Sequence, residues 1–361
     1  MNMRRFAAPL ILAGFVLSLA AAPAAAQQQK PEPKPQPKMY IPPAVKDVLA
    51  ANLATRQVRQ DIPFTVFKQL YLPGRDSTYI YFFYKMKNAD LGFAPAPASI
   101  AAIAPDAGPK VRAVVDLFLQ FHQVENGNPA KVIREVYVPV AIEKDAAAYE
   151  QEKDKEEWYT IGYPLMPGTY LLATALTSHD LKRIGIAYCD FTLPEAKSFT
   201  KELDTTPIFF LKDYKEVAAP ETITALHAGF LRYAILQIVP NLDNAIGVGD
   251  SLDTFFFIYG AKPDAAGAFN IECQYEVMKG KEPAIKFAPQ TYQNPFVSQP
   301  LPMKQTLLTK STDEKGVVKE SQKIQDLPVG SYTFSIKITD KGSGLTCTKS
   351  IDFTIVDKPA K

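Results

Sequence analysis

Residues 331–339 read Ser-Tyr-Thr-Phe-Ser-Ile-Lys-Ile-Thr, and this stretch decides the class of fold. Its apolar side chains occupy every second position: Tyr332, Phe334, Ile336 and Ile338. Successive side chains of a β-strand point to opposite faces, so this alternation predicts a half-buried strand. Residues 340–344 (DKGSG) supply turn chemistry, and a second alternating run follows from Leu345. The C-terminal end of the chain is therefore predicted to be a β-hairpin.

The sequence also predicts a matching hairpin in the first half of the chain. Residues 165–170 (LMPGTY) mirror residues 327–332 (LPVGSY), at the entry to the first strand. The returning strands also end alike, with 189–193 (CDFTL) against 351–355 (IDFTI). Two such hairpins in one chain indicate that the same kind of unit occurs twice.

Other segments correspond in the same order along the chain. Residues 76–84 match 250–259, and residues 119–121 match 273–275. A spacing of about 160 residues is too long for a solenoid repeat, which favours duplication of a whole domain. Many short strands with turn signals between them are typical of sandwiches. We predict an all-β fold of two tandem immunoglobulin-like (fibronectin-III-like) antiparallel β-sandwiches.

The predicted organisation has five parts. Residues 1–26 are expected to be a signal peptide and residues 27–43 a proline-rich linker. A short helix is predicted at residues 44–60, because apolar residues recur on one helical face there. The two sandwiches are predicted at residues 61–203 and 204–361.

The start of the chain predicts export. A basic beginning is followed by an uncharged apolar run from Phe6 to Ala21 and by small residues up to Ala26. Cleavage after Ala26 is expected, with an uncleaved membrane anchor as the alternative. Loss of Arg4 and Arg5, with no acidic residue beside them, takes the formal net charge from +2 to zero. A neutral chain lacks the electrostatic footprint for nucleic acid. After cleavage, no other segment is long and apolar enough to predict a transmembrane span.

The entry of each hairpin has a proline before a Gly-x-Tyr sequence that ends in a tyrosine, Tyr170 in the first hairpin and Tyr332 in the second. A buried tyrosine at such a corner can return its hydroxyl to nearby backbone, as in the tyrosine corner of immunoglobulin-like domains. Residues 327–356, with Leu-Pro-x-Gly-x-Tyr, Thr339-Asp340 and Ser343-Gly344, resemble the C-terminal immunoglobulin-like module of exported bacterial GWxTD-type proteins. The Gly-Trp-x-Thr-Asp signature is absent, so the resemblance implies the sandwich alone and no activity.

Three cysteines are too few for a disulfide scaffold. Cys273 and Cys347 are both expected to face the core of the second half, and export would permit one bridge between them. The preferred interpretation is that Cys189, Cys273 and Cys347 are three separate buried thiols.

No catalytic or metal-binding pattern emerges. Residues 249–252 (GDSL) spell an esterase motif, but the last histidine, His227, precedes the serine, so a capped turn is expected instead. The three histidines are far apart, which disfavours zinc. Acidic and amide side chains near residues 243–253 could hold calcium, but turn geometry is the preferred explanation for them. We expect no enzyme activity and no cofactor.

Residues 79–84 and 255–259 are apolar at positions that would face both sides of a strand. Their outer faces must therefore be covered by the other domain, by the helix or by a partner chain. The preferred function is a binding or assembly module of the cell envelope, periplasm or exterior, whose partner is another envelope protein or a polysaccharide. The alternative is a carbohydrate-binding protein, with Tyr292 and Phe296 as candidate contacts, and a hydrolase comes third.

Overall fold

The computed structural model describes residues 41–74, 76–97, 108–312 and 318–358. Strands dominate these residues, which confirms the all-β prediction. Two α-helices accompany them in the described ranges, α1 at Pro43–Leu53 and α2 at Ala146–Glu152. The predicted signal peptide, and the predicted linker as far as residue 40, lie outside the described residues. No helix in the described ranges is long and apolar enough to cross a bilayer.

The first half, residues 41–203, contributes most strands of two antiparallel sheets. Sheet 1 contains β1 Arg59–Gln60, β4 Ala94–Pro95, β5 Lys110–Glu125, β6 Asn128–Asp145, β8 Gly168–Ser178 and β9 Ile184–Leu193. Its order is β1-β9-β8-β5-β4, with β6 also paired to β5. Sheet 2 has the order β12-β7-β3-β2 and contains β2 Thr65–Pro73, β3 Thr78–Lys87, β7 Glu156–Leu165 and β12 His227–Ala228.

The second half, residues 204–358, forms two further sheets and a ribbon. Sheet 3 contains β10 Asp204–Thr205, β11 Phe209–Glu216, β13 Leu231–Tyr233, β14 Leu236–Asn241, β16 Ser251–Tyr259 and β20 Phe296–Pro302. Sheet 4 contains β15 Ala245–Gly247, β17 Ile271–Lys279, β18 Glu282–Lys286, β19 Gln290–Tyr292, β23 Gly330–Asp340 and β24 Thr346–Val356. The ribbon pairs β21 Lys304–Thr312 with β22 Val318–Asp326.

Each pair of sheets encloses its own apolar core. The alternating residues of β23 are buried against β16 and β17, as their period predicts. In the first half, Phe82 of β3 and Phe121 of β5 meet between sheets 1 and 2, with ring centroids 6.2 Å apart. Burying one face of each sheet in this way accounts for most of the apolar residues in the strands.

The two hairpins predicted from sequence have matching registers. Gly168 pairs with Leu193 in β8–β9, and Gly330 pairs with Ile355 in β23–β24. Two residues further on, Tyr170 and Tyr332 each lie opposite a phenylalanine. The corresponding hairpins therefore share one ladder geometry, and not only similar composition.

A third apolar layer joins the halves. Phe83 of β3 points away from the first core and packs in a cluster with Phe209 of β11 and Phe255 of β16. This cluster lies between sheets 2 and 3. The outer faces of the two-sided apolar strands are thus covered by each other's half of the chain, the first of the expected covers. Strand β12 also comes from the second half but pairs with β7 of sheet 2.

The helix is shorter than predicted. Val45 and Leu49 are buried on the outer face of sheet 1, as the periodicity indicates, but α1 ends at Leu53 and not at residue 60. Arg56 adopts a left-handed φ of 56°, and its guanidinium donates to the carbonyl of Leu53 at the end of the helix. A residue in that conformation stops a helix, because carbonyl groups of the last turn then find other donors.

Beyond the helix, Arg59 belongs to strand β1. The carboxylate of Asp61 accepts hydrogen bonds from the Arg59 side chain at 2.9 and 2.5 Å and from the backbone N–H of Ile184 at 3.1 Å. These contacts hold β1 beside β9 and lower the pKa of Asp61, chiefly through the hydrogen bond from Arg59.

The disulfide expected as one alternative is absent. Cys273 and Cys347 are both free thiols, and each lies opposite Ile338 on a different side of β23. Two strand spacings place their Cα atoms about 10 Å apart. A disulfide requires a Cα separation below about 7 Å. Both cysteines contact the second core, and because a third strand lies between them they are separate thiols, as in the other interpretation of the sequence.

Candidate functional site

The two corner tyrosines make the same hydrogen bond. The Tyr170 hydroxyl donates to the carbonyl of Met166 at 2.9 Å, and the Tyr332 hydroxyl donates to the carbonyl of Pro328 at 2.9 Å. Both tyrosines are buried, and each hydroxyl is satisfied by a hydrogen bond to the backbone carbonyl four residues upstream. This geometry ties the entry of a strand to its corner and leaves these hydroxyls engaged in structure.

The GDSL stretch is a turn. Gly249 has a left-handed φ of +82°, and the Asp250 N–H donates to the carbonyl of Gly247 at 2.9 Å. Ser251 begins β16 with its side chain exposed, while Asp250 pairs with Lys358 at 2.8 Å. No histidine in the described part of the chain hydrogen-bonds to this serine, so the turn expected from sequence accounts for the motif.

The acidic residues near 243–253 do not converge. Asp243 pairs with Lys212 at 3.3 Å, and the Asn244 amide donates to the carbonyl of Asp352 at 3.0 Å. Throughout the described ranges, no three His, Cys, Asp or Glu side chains are grouped so that they could hold a metal ion. Calcium binding at this loop therefore finds no support in the geometry.

The two aromatic residues expected to contact sugar are engaged elsewhere. The Tyr292 hydroxyl lies 2.7 Å from that of Tyr275 and 3.0 Å from the side-chain oxygen of Gln299. The Phe296 ring packs against Phe255, with centroids 5.0 Å apart, in the layer between the halves. Both side chains are half-buried, and contact of either with sugar stays a prediction.

A cleft of about 650 Å³ opens where the two halves meet. Its floor is the outer face of sheet 2, where Tyr79 and Tyr81 project from β3 and Gly162 and Pro164 lie on β7. Its opposite wall is the segment 220–234 of the second half. The site therefore exists only where both halves are docked.

The local sequence explains the floor. Tyr79 and Tyr81 are two residues apart on one strand and so share a face. Their rings lie 6.5 Å apart with an interplanar angle of 24°. A Cβ added at Gly162 would come within 2.6 Å of the Tyr81 ring, so only glycine lets this ring lie flat on the backbone of β7. Tyr79 remains 38 % exposed above the buried Tyr81.

Hydrogen bonds across the junction fix the walls. The Tyr81 hydroxyl donates to the carbonyl of Arg232 at 2.7 Å, and the Tyr233 hydroxyl donates to that of Pro73 at 2.8 Å. Thr160 Oγ1 donates to the carbonyl of Phe230 at 2.5 Å. Burial raises the pKa of Tyr81 and raises that of Tyr233 to about 12, so both phenols stay neutral at physiological pH.

Two charged groups border the cleft. Glu221 lies 3.0 Å from Nε2 of His227, whose ring stacks on Phe230 at 4.7 Å. The Arg232 guanidinium donates from one terminal nitrogen to the carbonyl of Ala219 at 3.0 Å. Its Nε is buried and has no hydrogen-bond partner. Within the described residues, no serine, threonine or cysteine hydrogen-bonds to His227.

Sequence reasoning found only part of this cleft. It marked residues 79–84 as apolar on both faces, which is the strand that supplies the floor. It missed Glu221, which lies on an irregular segment, and it missed Arg232 and Tyr233, which lie on a strand of three residues that is too short to show a period. The one signal in the sequence was Tyr79, an aromatic residue at a position of β3 that faces away from the first core. An exposed aromatic side chain on such a face marks the edge of the area that the other half covers.

No protein-family model matches this sequence, and no curated protein matches it.

Proposed function

We propose that this chain is a non-catalytic, exported binding module of the bacterial cell envelope, and that its ligand enters the cleft between the halves. The observation that carries the proposal is the cleft itself. At about 650 Å³ it falls within the range of small-molecule sites, and tyrosine rings line it together with a few polar groups.

Binding is favoured over hydrolysis by the state of the polar groups. A serine or cysteine hydrolase needs a nucleophile within hydrogen-bond reach of its base. His227 instead contacts Glu221 and Phe230, and the hydroxyl of Thr160 is committed to a backbone carbonyl. The tyrosine pKa values are raised, which is the wrong direction for a phenolate nucleophile.

The proposal includes two tandem immunoglobulin-like sandwiches. Each half has a pair of packed sheets, the two hairpins share one register, and Tyr170 and Tyr332 make equivalent hydrogen bonds. These features support a duplicated unit, and they agree with the resemblance of residues 327–356 to the C-terminal module of GWxTD-type proteins. Export rests on the features of residues 1–26.

The test is an affinity capture with matched variants. The mature chain, residues 27–361, is immobilised and exposed to detergent-solubilised envelope of the source bacterium, beside the variants Tyr79→Ala and Tyr214→Ala. Tyr214 is a suitable control because it is 43 % exposed on β11 and does not line the cleft. Eluates are analysed for proteins by mass spectrometry and for glycans by monosaccharide analysis.

The expected result is one component retained by the wild type and by Tyr214→Ala but lost with Tyr79→Ala. A component retained equally by all three baits would place binding outside the cleft. Empty eluates from the wild type would contradict the binding function.

A further inference from the structure

Resting on the proposed function, we infer that the cleft takes a neutral sugar ring of an oligosaccharide, stacked on the face of Tyr79. Tyr79 is 38 % exposed, and its ring stacks against the ring of Tyr81, a residue that is 2 % exposed. A ring held from behind in this way is a rigid platform that loses little entropy when a ligand settles on it. The C–H face of a pyranose is the complementary flat apolar surface.

The hydroxyls of Tyr81 and Tyr233 are already hydrogen-bonded within the protein, which favours a ligand that stacks on an aromatic ring over one that accepts hydrogen bonds from these hydroxyls. The hydroxyls of Tyr81 and Tyr233 already donate to carbonyls across the junction. Tyr233 is half-buried and therefore offers a ligand ring surface, whereas Tyr81 is buried and only supports Tyr79. Peptides that bind by strand addition are held by main-chain hydrogen bonds at an open sheet edge.

The strand edge beside the cleft is not open either. The carbonyls of Phe230 and Arg232 accept from Thr160 and Tyr81, and the N–H of Gly229 donates to the carbonyl of Trp158 at 3.1 Å. The Arg232 carbonyl of β13 and the backbone groups of Gly229 and Phe230 just before it are thus occupied. A folded protein partner would need a surface of about 800 Å² on each side, which a concave cleft of this size does not present.

The charges indicate a neutral ligand with hydroxyl groups. Glu221 and Arg232 carry opposite charges at the border of one cleft, so their effects on a charged ligand largely cancel and neither an anion nor a cation is favoured. A hydroxyl can donate to the Glu221 carboxylate and accept from the Arg232 guanidinium, since both residues line the cleft. Sugar hydroxyls do both on one ring, so the cleft suits a neutral oligosaccharide better than an acidic one.

The experiment is isothermal titration of the mature chain, residues 27–361, with cellohexaose, maltohexaose and chitohexaose, and with hexagalacturonate as the acidic comparison. Binding of at least one neutral hexamer is expected, with hexagalacturonate weaker. Tyr79→Ala should weaken that binding at least ~10-fold, whereas Tyr79→Phe, which keeps the ring, should change it less than ~2-fold. Tyr214→Ala serves as the control and should leave it unchanged.

The inference fails if no neutral hexamer binds, if hexagalacturonate binds more tightly, or if Tyr79→Ala binds as the wild type does. These failures are separable from failure of the proposed function. A protein captured from the envelope in a Tyr79-dependent manner, together with no sugar binding, would overturn the sugar and leave the cleft as the binding site. Absence of both would overturn both.

Discussion

The layer between the halves makes a strong prediction about Phe83. This side chain is fully buried, yet it points away from the core of its own sheet pair and into the cluster shared with the second half. Its ring meets Trp158 at 5.9 Å and Phe67 at 6.3 Å. If the two halves are docked in solution as they are here, Phe83→Ala must be as costly as a substitution in a central core.

The magnitude follows from complete burial. Transfer of a phenylalanine side chain out of water contributes about 1.5–3 kcal/mol. The cavity left by truncation raises the cost of Phe→Ala to about 3–5 kcal/mol. The neighbouring residue Phe82 faces the first core and is equally buried. Phe82→Ala should therefore cost about the same as Phe83→Ala. Phe67→Ala, at 38 % exposure, should cost about 1 kcal/mol or less.

The assay is equilibrium unfolding in guanidinium chloride, followed by tryptophan fluorescence and by far-ultraviolet circular dichroism. Trp158 is the only tryptophan and lies at the edge of the shared layer, so its emission reports on the junction itself. The two probes should give coincident transitions in the wild type. A cost below about 1 kcal/mol for Phe83→Ala, with about 3–5 kcal/mol for Phe82→Ala, would refute docking of the halves through this face.

Three further substitutions or reagents test other contacts. Gly162→Ala should displace the Tyr81 ring and destabilise the chain by about 1–3 kcal/mol, measured by the same unfolding assay. Burial raises the pKa of Cys273 to about 12, so a thiol reagent at pH 8 should modify Cys273 only after unfolding, and the native mass should show no loss of two hydrogens. The pKa of Asp61 is lowered by folding, so its carboxylate stabilises the native state above the unfolded pKa of about 3.9 and loses that effect as pH falls through the folded value. Asp61→Asn should therefore lower the melting temperature at pH 7 by a small amount, because the side chain is 34 % exposed, and the difference should shrink toward pH 2.

Local alternation predicted strands well because each strand has one buried face. The hairpin at residues 330–356 is the clearest case, since its apolar residues and its turn both follow short-range rules. The helix end was less predictable. Arg56 has a left-handed backbone conformation, and its side chain hydrogen-bonds to Leu53 and to Asp190. Asp190 is distant in the sequence, so the local pattern of residues 54–60 could not predict this contact.

The correspondence between the halves was predicted with a slip of two residues. Sequence similarity aligned residues 119–121 with 273–275. When the hairpins are superposed on their tyrosines, Leu172 pairs with Phe121 and its equivalent Phe334 pairs with Val277. Phe121 therefore corresponds to Val277. A slip of two leaves every side chain on the same face, so the hydrophobic pattern alone cannot detect it.

Long-range placement explains the remaining gaps. Cys273 and Cys347 were correctly assigned to one face, but whether two strands are neighbours depends on sheet order, which face assignment does not contain. The same holds for the cleft. Tyr79 could be read from its strand, whereas Glu221 and Arg232 reach it from a segment more than 140 residues away in the chain.

The cleft and the apolar layer between the halves both follow from two central strands, β3 and β16, that are apolar on both faces. Strand β3 lies between β2 and β7, and β16 lies between β11 and β20. These neighbours lie beside each strand in the sheet, and the partner sheet covers only its inner face. The outer face of each strand must therefore be covered by another part of the chain. Their burial against each other brings segment 220–234 over sheet 2, and the space left at its margin is the cleft. A ligand bound there contacts both halves and must favour their docked arrangement, by about 2.7 kcal/mol at a concentration 100 times its Kd. Loosening the layer at Phe83 should accordingly weaken binding although Phe83 does not line the cleft, because ligand affinity and docking are linked through the same equilibrium.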